Sequence, residues 1–181
     1  GGGQLYDSTA HVLSAMVFLV NSAVREAFCW ADPKGTKVDI NAVGVIRFAN
    51  GCLGSITSGG NCPSWKSHLT IQGSKALVEV GAHGGGFCVS GRGLKEPISA
   101  PPPRYKHPTV APVQNFYDVI RGRAEPRCPA RVGIILADLM DGFYASAAAG
   151  RPTDGGAGLI GVAPSPAVTW IVLSTAAGSI R

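Results

Sequence analysis

Thr9, Leu5, Leu13, Met16, Val17 and Val20 recur at helical spacing and form one stripe, which predicts a first helix over about 4–20, closed by Asn21 and Ser22. Ala23 to Trp30 carries Val24, Phe28 and Trp30 and predicts a strand that ends at the Asp32-Pro33-Lys34-Gly35 turn. Two further strands, Ile40 to Phe48 and Cys52 to Ser58, flank Ala49-Asn50-Gly51, a connection whose Asn-Gly pair favours positive φ. Along the first of these, Ile40, Ala42, Gly44, Ile46 and Phe48 share one face. Asn41, Val43, Val45 and Arg47 share the other, so both faces are partly apolar. A second hairpin pairs His68 to Gln72 with Ala76 to Val80 across Gly73-Ser74-Lys75, and a short strand is expected over Phe87 to Ser90. Hairpins in succession predict an antiparallel sheet rather than a parallel doubly wound one.

Pro101-Pro102-Pro103 breaks the chain, and two helices follow. Val113, Phe116, Tyr117 and Ile120 mark the first, which ends at Arg121-Gly122. The second runs from about Ala130 to Ala149, with Val132, Ile135, Leu136, Leu139, Met140, Phe143 and Tyr144 on its apolar stripe. From Gly155 onward glycine, alanine and serine dominate, and Arg181 is the only charged side chain after Asp154. This stretch, 155–181, reads as a tail that is disordered or foreign to the domain, although Ala167 to Val172 could form a short apolar strand.

Composition narrows the class. A hydrophobic share of 45% in 181 residues supports a real core, while 15% charged residues is low for a fully solvated surface and suggests that part of it is covered. The formal charge of +5 is scattered, without a basic run interleaved with aromatics, so no nucleic-acid partner is expected. The apolar run from Val12 to Val20 is too short to span a membrane, and no membrane partner is expected. Cys29, Cys52, Cys62, Cys88 and Cys128 make an odd set without a C-x-x-C pair, which points to thiols in a reducing cytosol and a cytoplasmic location. A start on three glycines reads as a chain cut from something longer.

The strongest chemical signal is the opening segment. Asp7 and His11 lie four residues apart, so a helix would place them on neighbouring turns of one face. An imidazole can take a proton from a hydroxyl near neutral pH, and a nearby carboxylate would stabilise the imidazolium. The preceding glycines would let a ligand approach the backbone and its exposed N–H groups. Such a pair is, by spacing alone, more often a surface contact, and a metal site would need further ligands that no other His or Cys cluster offers. Trp65 and His107 are further candidates for the rim of a substrate site, although loop residues of this kind are more commonly just solvated. His83, in the Gly81 to Gly86 loop, lacks the Lys-Ser/Thr ending of a phosphate-binding loop and reads as part of a turn. His68 reads as structural.

Gly1-Gly2-Gly3-x-x-x-Asp7-x-x-x-His11 resembles a signature of the glucose-fructose oxidoreductase/inositol dehydrogenase/rhizopine-catabolism (Gfo/Idh/MocA) family, where it opens the C-terminal domain. Val45 to Ser55, Leu69 to Ala76, Asn115 to Gly122 and Tyr144 to Arg151 resemble later stretches of that family in the same order, so the likeness covers about 1–154. The resemblance implies an α+β domain of the α/β-type C-terminal kind, an open, mostly antiparallel sheet with helices packed on one face. The other face would serve a homo-oligomer. It implies an NAD- or NADP-dependent oxidoreductase acting on a sugar, polyol or related alcohol, with His11 as general base and Asp7 lining the substrate site. The cofactor would be bound mainly by an N-terminal nucleotide domain, which also supplies a lysine. No G-x-G-x-x-G follows a strand in this sequence, so the chain alone is expected to be inactive. The alternatives are a non-catalytic dimerisation or ligand-binding module of the same fold, and a glycosidase working through transient NAD-dependent oxidation.

Overall fold

The computed structural model describes residues 2–63, 66–81, 86–100, 111–154 and 168–178; for Lys66 and for 168–178 it describes the backbone only. The elements in chain order are α1 (Ser8–Val20), β1 (Val24–Asp32), β2 (Asn41–Phe48), β3 (Leu53–Cys62), β4 (Lys66–Gly73), β5 (Ala76–Gly81), β6 (Phe87–Gly91), β7 (Ile98–Ala100), α2 (Pro112–Ile120), α3 (Ala130–Ala149), β8 (Thr153–Asp154) and β9 (Val168–Gly178). The strands form one sheet in the order β7-β6-β5-β4-β9-β3-β2-β1-β8. Every pairing is antiparallel except that of β3 with β9. The α+β class and the open, mostly antiparallel sheet expected from the sequence are what the chain adopts.

The β2–β3 hairpin turns where Asn50-Gly51 predicted it. Gly51 has φ +86°, a value that a side chain would strain, and the Asn50 carboxamide accepts from the Cys52 N–H at 3.0 Å. Gly44, Ile46 and Phe48 on β2 share a face with Gly54 and Ile56 on β3, since Ile46 pairs with Gly54 and Gly44 with Ile56. A Cβ on Gly54 would meet the Met16 sulfur of α1 at 2.5 Å, and one on Gly44 would meet the Phe143 ring of α3 at 2.9 Å. The two glycines therefore let both helices settle onto the same side of the sheet. Leu5, Leu13, Met16, Phe48, Ile56, Met140 and Phe143, all 2% exposed or less, form the core between them.

Four elements depart from expectation. α1 begins at Ser8 rather than near Gln4, because the backbone N–H groups of Gln4 and Leu5 bond to Asp39 instead of continuing a helical ladder. β7 and the two-residue β8 were not foreseen. The apolar run expected as a short strand within the tail extends over Val168–Gly178 and lies between β3 and β4.

α3 occupies Ala130–Ala149, as its stripe predicted. It is long and apolar enough to meet the length and composition of a membrane span, and it lays Ile135, Leu139, Met140 and Phe143 into the core. α2 buries none of its residues.

Candidate functional site

The site is built from the turn that precedes α1. The Gly3 carbonyl accepts from both the Tyr6 and Asp7 N–H groups, each at 3.1 Å, which folds the chain back on itself just before the helix. Asp39, 5% exposed in the connection between β1 and β2, holds this turn from one side. Its carboxylate accepts from the Leu5 N–H at 2.9 Å and its main-chain carbonyl from the Gln4 N–H at 3.0 Å.

Tyr144 of α3 holds the turn from the other side. Its hydroxyl donates to the Asp39 carboxylate at 2.5 Å and accepts from the Gly3 N–H at 3.4 Å. Burial, and then the Asp39 carboxylate that accepts its hydrogen bond, push the Tyr144 phenol well above its ordinary value. The Tyr144 ring stacks on Tyr6 with centroids 5.8 Å apart, and the Tyr6 hydroxyl donates to Asp141 at 2.9 Å.

Asp39 itself is set by a tight reversal. The Lys34 N–H bonds to the Asp32 carboxylate at 2.9 Å, Lys34 and Gly35 both take positive φ, and the Ile40 N–H returns to the Asp32 carbonyl at 2.9 Å. A cavity of about 370 Å³ opens beside the turn, lined among others by Gly2, Gly3, Lys37, Asp39 and Tyr144.

This geometry corrects one expectation. The N–H groups of Gly3, Gln4 and Leu5 are not open to a ligand, because Tyr144 and Asp39 take them. The glycine is needed for protein packing instead: a Cβ on Gly3 would lie 2.2 Å from the Asp39 carbonyl oxygen.

Asp7 stands at the N-cap of α1 and His11 in the first turns of the helix, and both side chains are exposed. An aspartate at this position ordinarily spends its carboxylate on a helix N–H, but Asp7 makes no such side-chain bond. Among the described residues, neither Asp7 nor His11 has a side-chain hydrogen bond or ion pair, so both polar groups at the head of α1 face solvent uncommitted.

Trp65 and His107, expected at the substrate rim, lie outside the described residues, as does His83. His68 lies on β4, its ring 3.7 Å from the Glu79 carboxylate on β5, away from the Asp7 turn. Among the described residues no group of three or more His, Cys, Asp or Glu side chains could hold a metal ion.

The model of the GFO/IDH/MocA C-terminal domain matches residues 1–79. No curated protein matches the sequence. Among solved structures, the chain is similar to an NAD-binding protein from Listeria innocua, at 21% identity over 86% of this chain and 48% of that one, with a TM-score of 0.65. It is also similar to the WlbA dehydrogenase from Bordetella pertussis in complex with NADH and UDP-GlcNAcA, at 21% identity over 84% and 48%, with a TM-score of 0.66. A third is levoglucosan dehydrogenase in complex with NADH and L-sorbose, at 18% identity over 86% and 51%, with a TM-score of 0.72. The chain thus spans about half the length of the solved structures it matches. Residues 1–79 are thus similar to the GFO/IDH/MocA C-terminal domain, and the described fold is similar to that of these solved structures.

Proposed function

We propose that this chain is the substrate-side half of an NAD- or NADP-dependent oxidoreductase acting on a sugar, polyol or related alcohol. The observation that carries the reading is the pair of uncommitted polar groups at the head of α1, Asp7 and His11, in the segment that matches the family. The described residues do not fit a dinucleotide site. The one glycine turn ahead of a helix has its N–H groups spent on Asp39 and Tyr144, so it cannot cradle a pyrophosphate. Redox chemistry in this reading is supplied by a nicotinamide held outside this segment.

What the chain contributes is proton handling and orientation. The His11 imidazole accepts the proton of the substrate hydroxyl as its carbon is oxidised and returns it in the reverse direction. The Asp7 carboxylate, one turn earlier, accepts a hydrogen bond from a neighbouring hydroxyl and steadies the imidazolium. Trp65 and His107 remain proposed rim residues on the same reading. In the longer enzyme that carries this segment, His11→Ala should lower kcat at saturating substrate by about 10²–10⁴-fold, the usual worth of a general base. A drop below tenfold would remove the role.

We also propose that the face of the sheet opposite α1 and α3 joins copies of the chain. Trp30 is 65% exposed, and Val43, Val45 and Leu53 stand on the same side of the sheet. Phe28 packs edge-on against Trp30 at 4.3 Å between centroids, and a groove of about 470 Å³ runs past Phe28, Val45 and Leu53. An apolar surface of this kind is expected to be covered by another protein surface.

A further inference from the structure

We propose that Asp39 and Tyr144 are positioning residues for the reacting pair Asp7 and His11, acting through the Gly3 turn. The inference deepens the reading of that pair as the proton-handling site and rests on it.

The chain of contacts is short and continuous. Tyr144 donates to Asp39, and together they take the N–H groups of Gly3, Gln4 and Leu5. Gly3, so held, accepts the Asp7 N–H at 3.1 Å. The Gln4 carbonyl accepts the Thr9 N–H at 3.1 Å, the bond that brings the first turn of α1 onto the same support. Leu5 on one side of Asp7 and Leu13 beyond His11 are both fully buried, so the intervening residues have little room to drift once the turn is fixed. The tie also brings together three parts of the fold: the segment before α1, the β1–β2 connection and the last third of α3. Among the described residues neither Asp39 nor Tyr144 hydrogen-bonds to the side chain of Asp7 or His11, which makes their role one of placement.

Placement matters because a small error in the position of an acid/base group removes much of its effect. The tie suits that task. Its acceptor is a charged carboxylate, which strengthens each bond it accepts, and it is almost wholly shielded from water.

The test uses the 181-residue chain itself, in two variants, and reads geometry rather than turnover. Tyr144→Phe removes only the hydroxyl and keeps the ring that stacks on Tyr6, while Asp39→Asn weakens the acceptor. The Asp7 amide and the imidazole resonances of His11 (assigned by their loss in His11→Ala) are followed by NMR, with the His68 imidazole on β4 as a sentinel for global change. The expected result is displacement of the Asp7 and His11 signals in Tyr144→Phe, with a larger displacement in Asp39→Asn, while His68 stays in place. If Asp39→Asn does not fold, Tyr144→Phe decides alone. A folded Tyr144→Phe chain with Asp7 and His11 signals at their original positions overturns the proposal, and so does an equal displacement of His68. The loss of turnover in His11→Ala is a separate measurement, so failure of the chemical role and failure of the placement are told apart.

Discussion

A Cβ built on Gly3 would lie 2.2 Å from both the carbonyl and a carboxylate oxygen of Asp39. Two chain segments 36 positions apart thus approach so closely that only a hydrogen fits between them. Gly3→Ala must push the turn off Asp39 or break its bonds to Gln4 and Leu5. Overpacking of this kind costs about 1–3 kcal/mol, and loss of a bond to a buried carboxylate would add to it. The expected outcome is a Tm several degrees below that of the parent chain. Gly35→Ala, at a site with open space around its Cβ position and strained only through its φ of +78°, is the milder control. Equal Tm values for Gly3→Ala and the parent would show that the close approach does not constrain the fold.

The cysteines divide by environment. Burial, with a smaller push from the Asp39 carboxylate, raises the Cys29 thiol from its ordinary 9.0 to about 11, whereas Cys128 is exposed. At pH 8 an alkylating reagent should therefore modify Cys128 first and Cys29 only on unfolding. The raised value also sets a sign for stability. The folded chain holds the Cys29 proton more tightly than the unfolded chain does, so the contribution is complete below about pH 9 and is lost as the pH climbs through about 11. Unfolding titrations from pH 8 to 11 should show a decline that Cys29→Ala lessens. Identical declines in the two chains would contradict the assignment.

Trp30 lies at the centre of the proposed contact between copies. Trp30→Glu would place a carboxylate on the exposed apolar face without disturbing the core, since the residue is 65% exposed. Sedimentation should show the parent chain as an oligomer and the variant as a monomer with a nearly unchanged Tm. An oligomer that survives Trp30→Glu, or a parent chain that is monomeric at high concentration, would reject this face as the interface.

Local patterns in the sequence carried most of the elements. The Asn50-Gly51 turn, the alternation along β2 and the stripe of α3 are each decided by neighbours a few residues apart, and the fold follows them. The Asp39–Tyr144 pair was not legible, because it spans 105 positions and neither residue looks unusual where it stands. Tyr144 reads as one more member of the α3 stripe, and Asp39 as a polar residue beside a turn. The signal that could have flagged them is their proximity to two motif-bearing segments, the glycine turn and the late helix, and only the fold supplies that proximity. α1 started four positions late for the same reason: a stripe reports which residues face the core, not which N–H groups a distant carboxylate has claimed.

The order of the strands has a consequence for how the chain is made. β1, β2 and β3 pair in succession, as do β4 to β7, yet among the described strands these two groups meet only through β9. β9 follows every other described element in sequence, so the ribosome delivers both groups well before it delivers the strand that bridges them. Through that interval β3 and β4 each present a row of unsatisfied main-chain donors and acceptors, open to pairing with a neighbouring nascent copy. Slow synthesis toward residue 178 would therefore lengthen the period in which the chain is prone to aggregate.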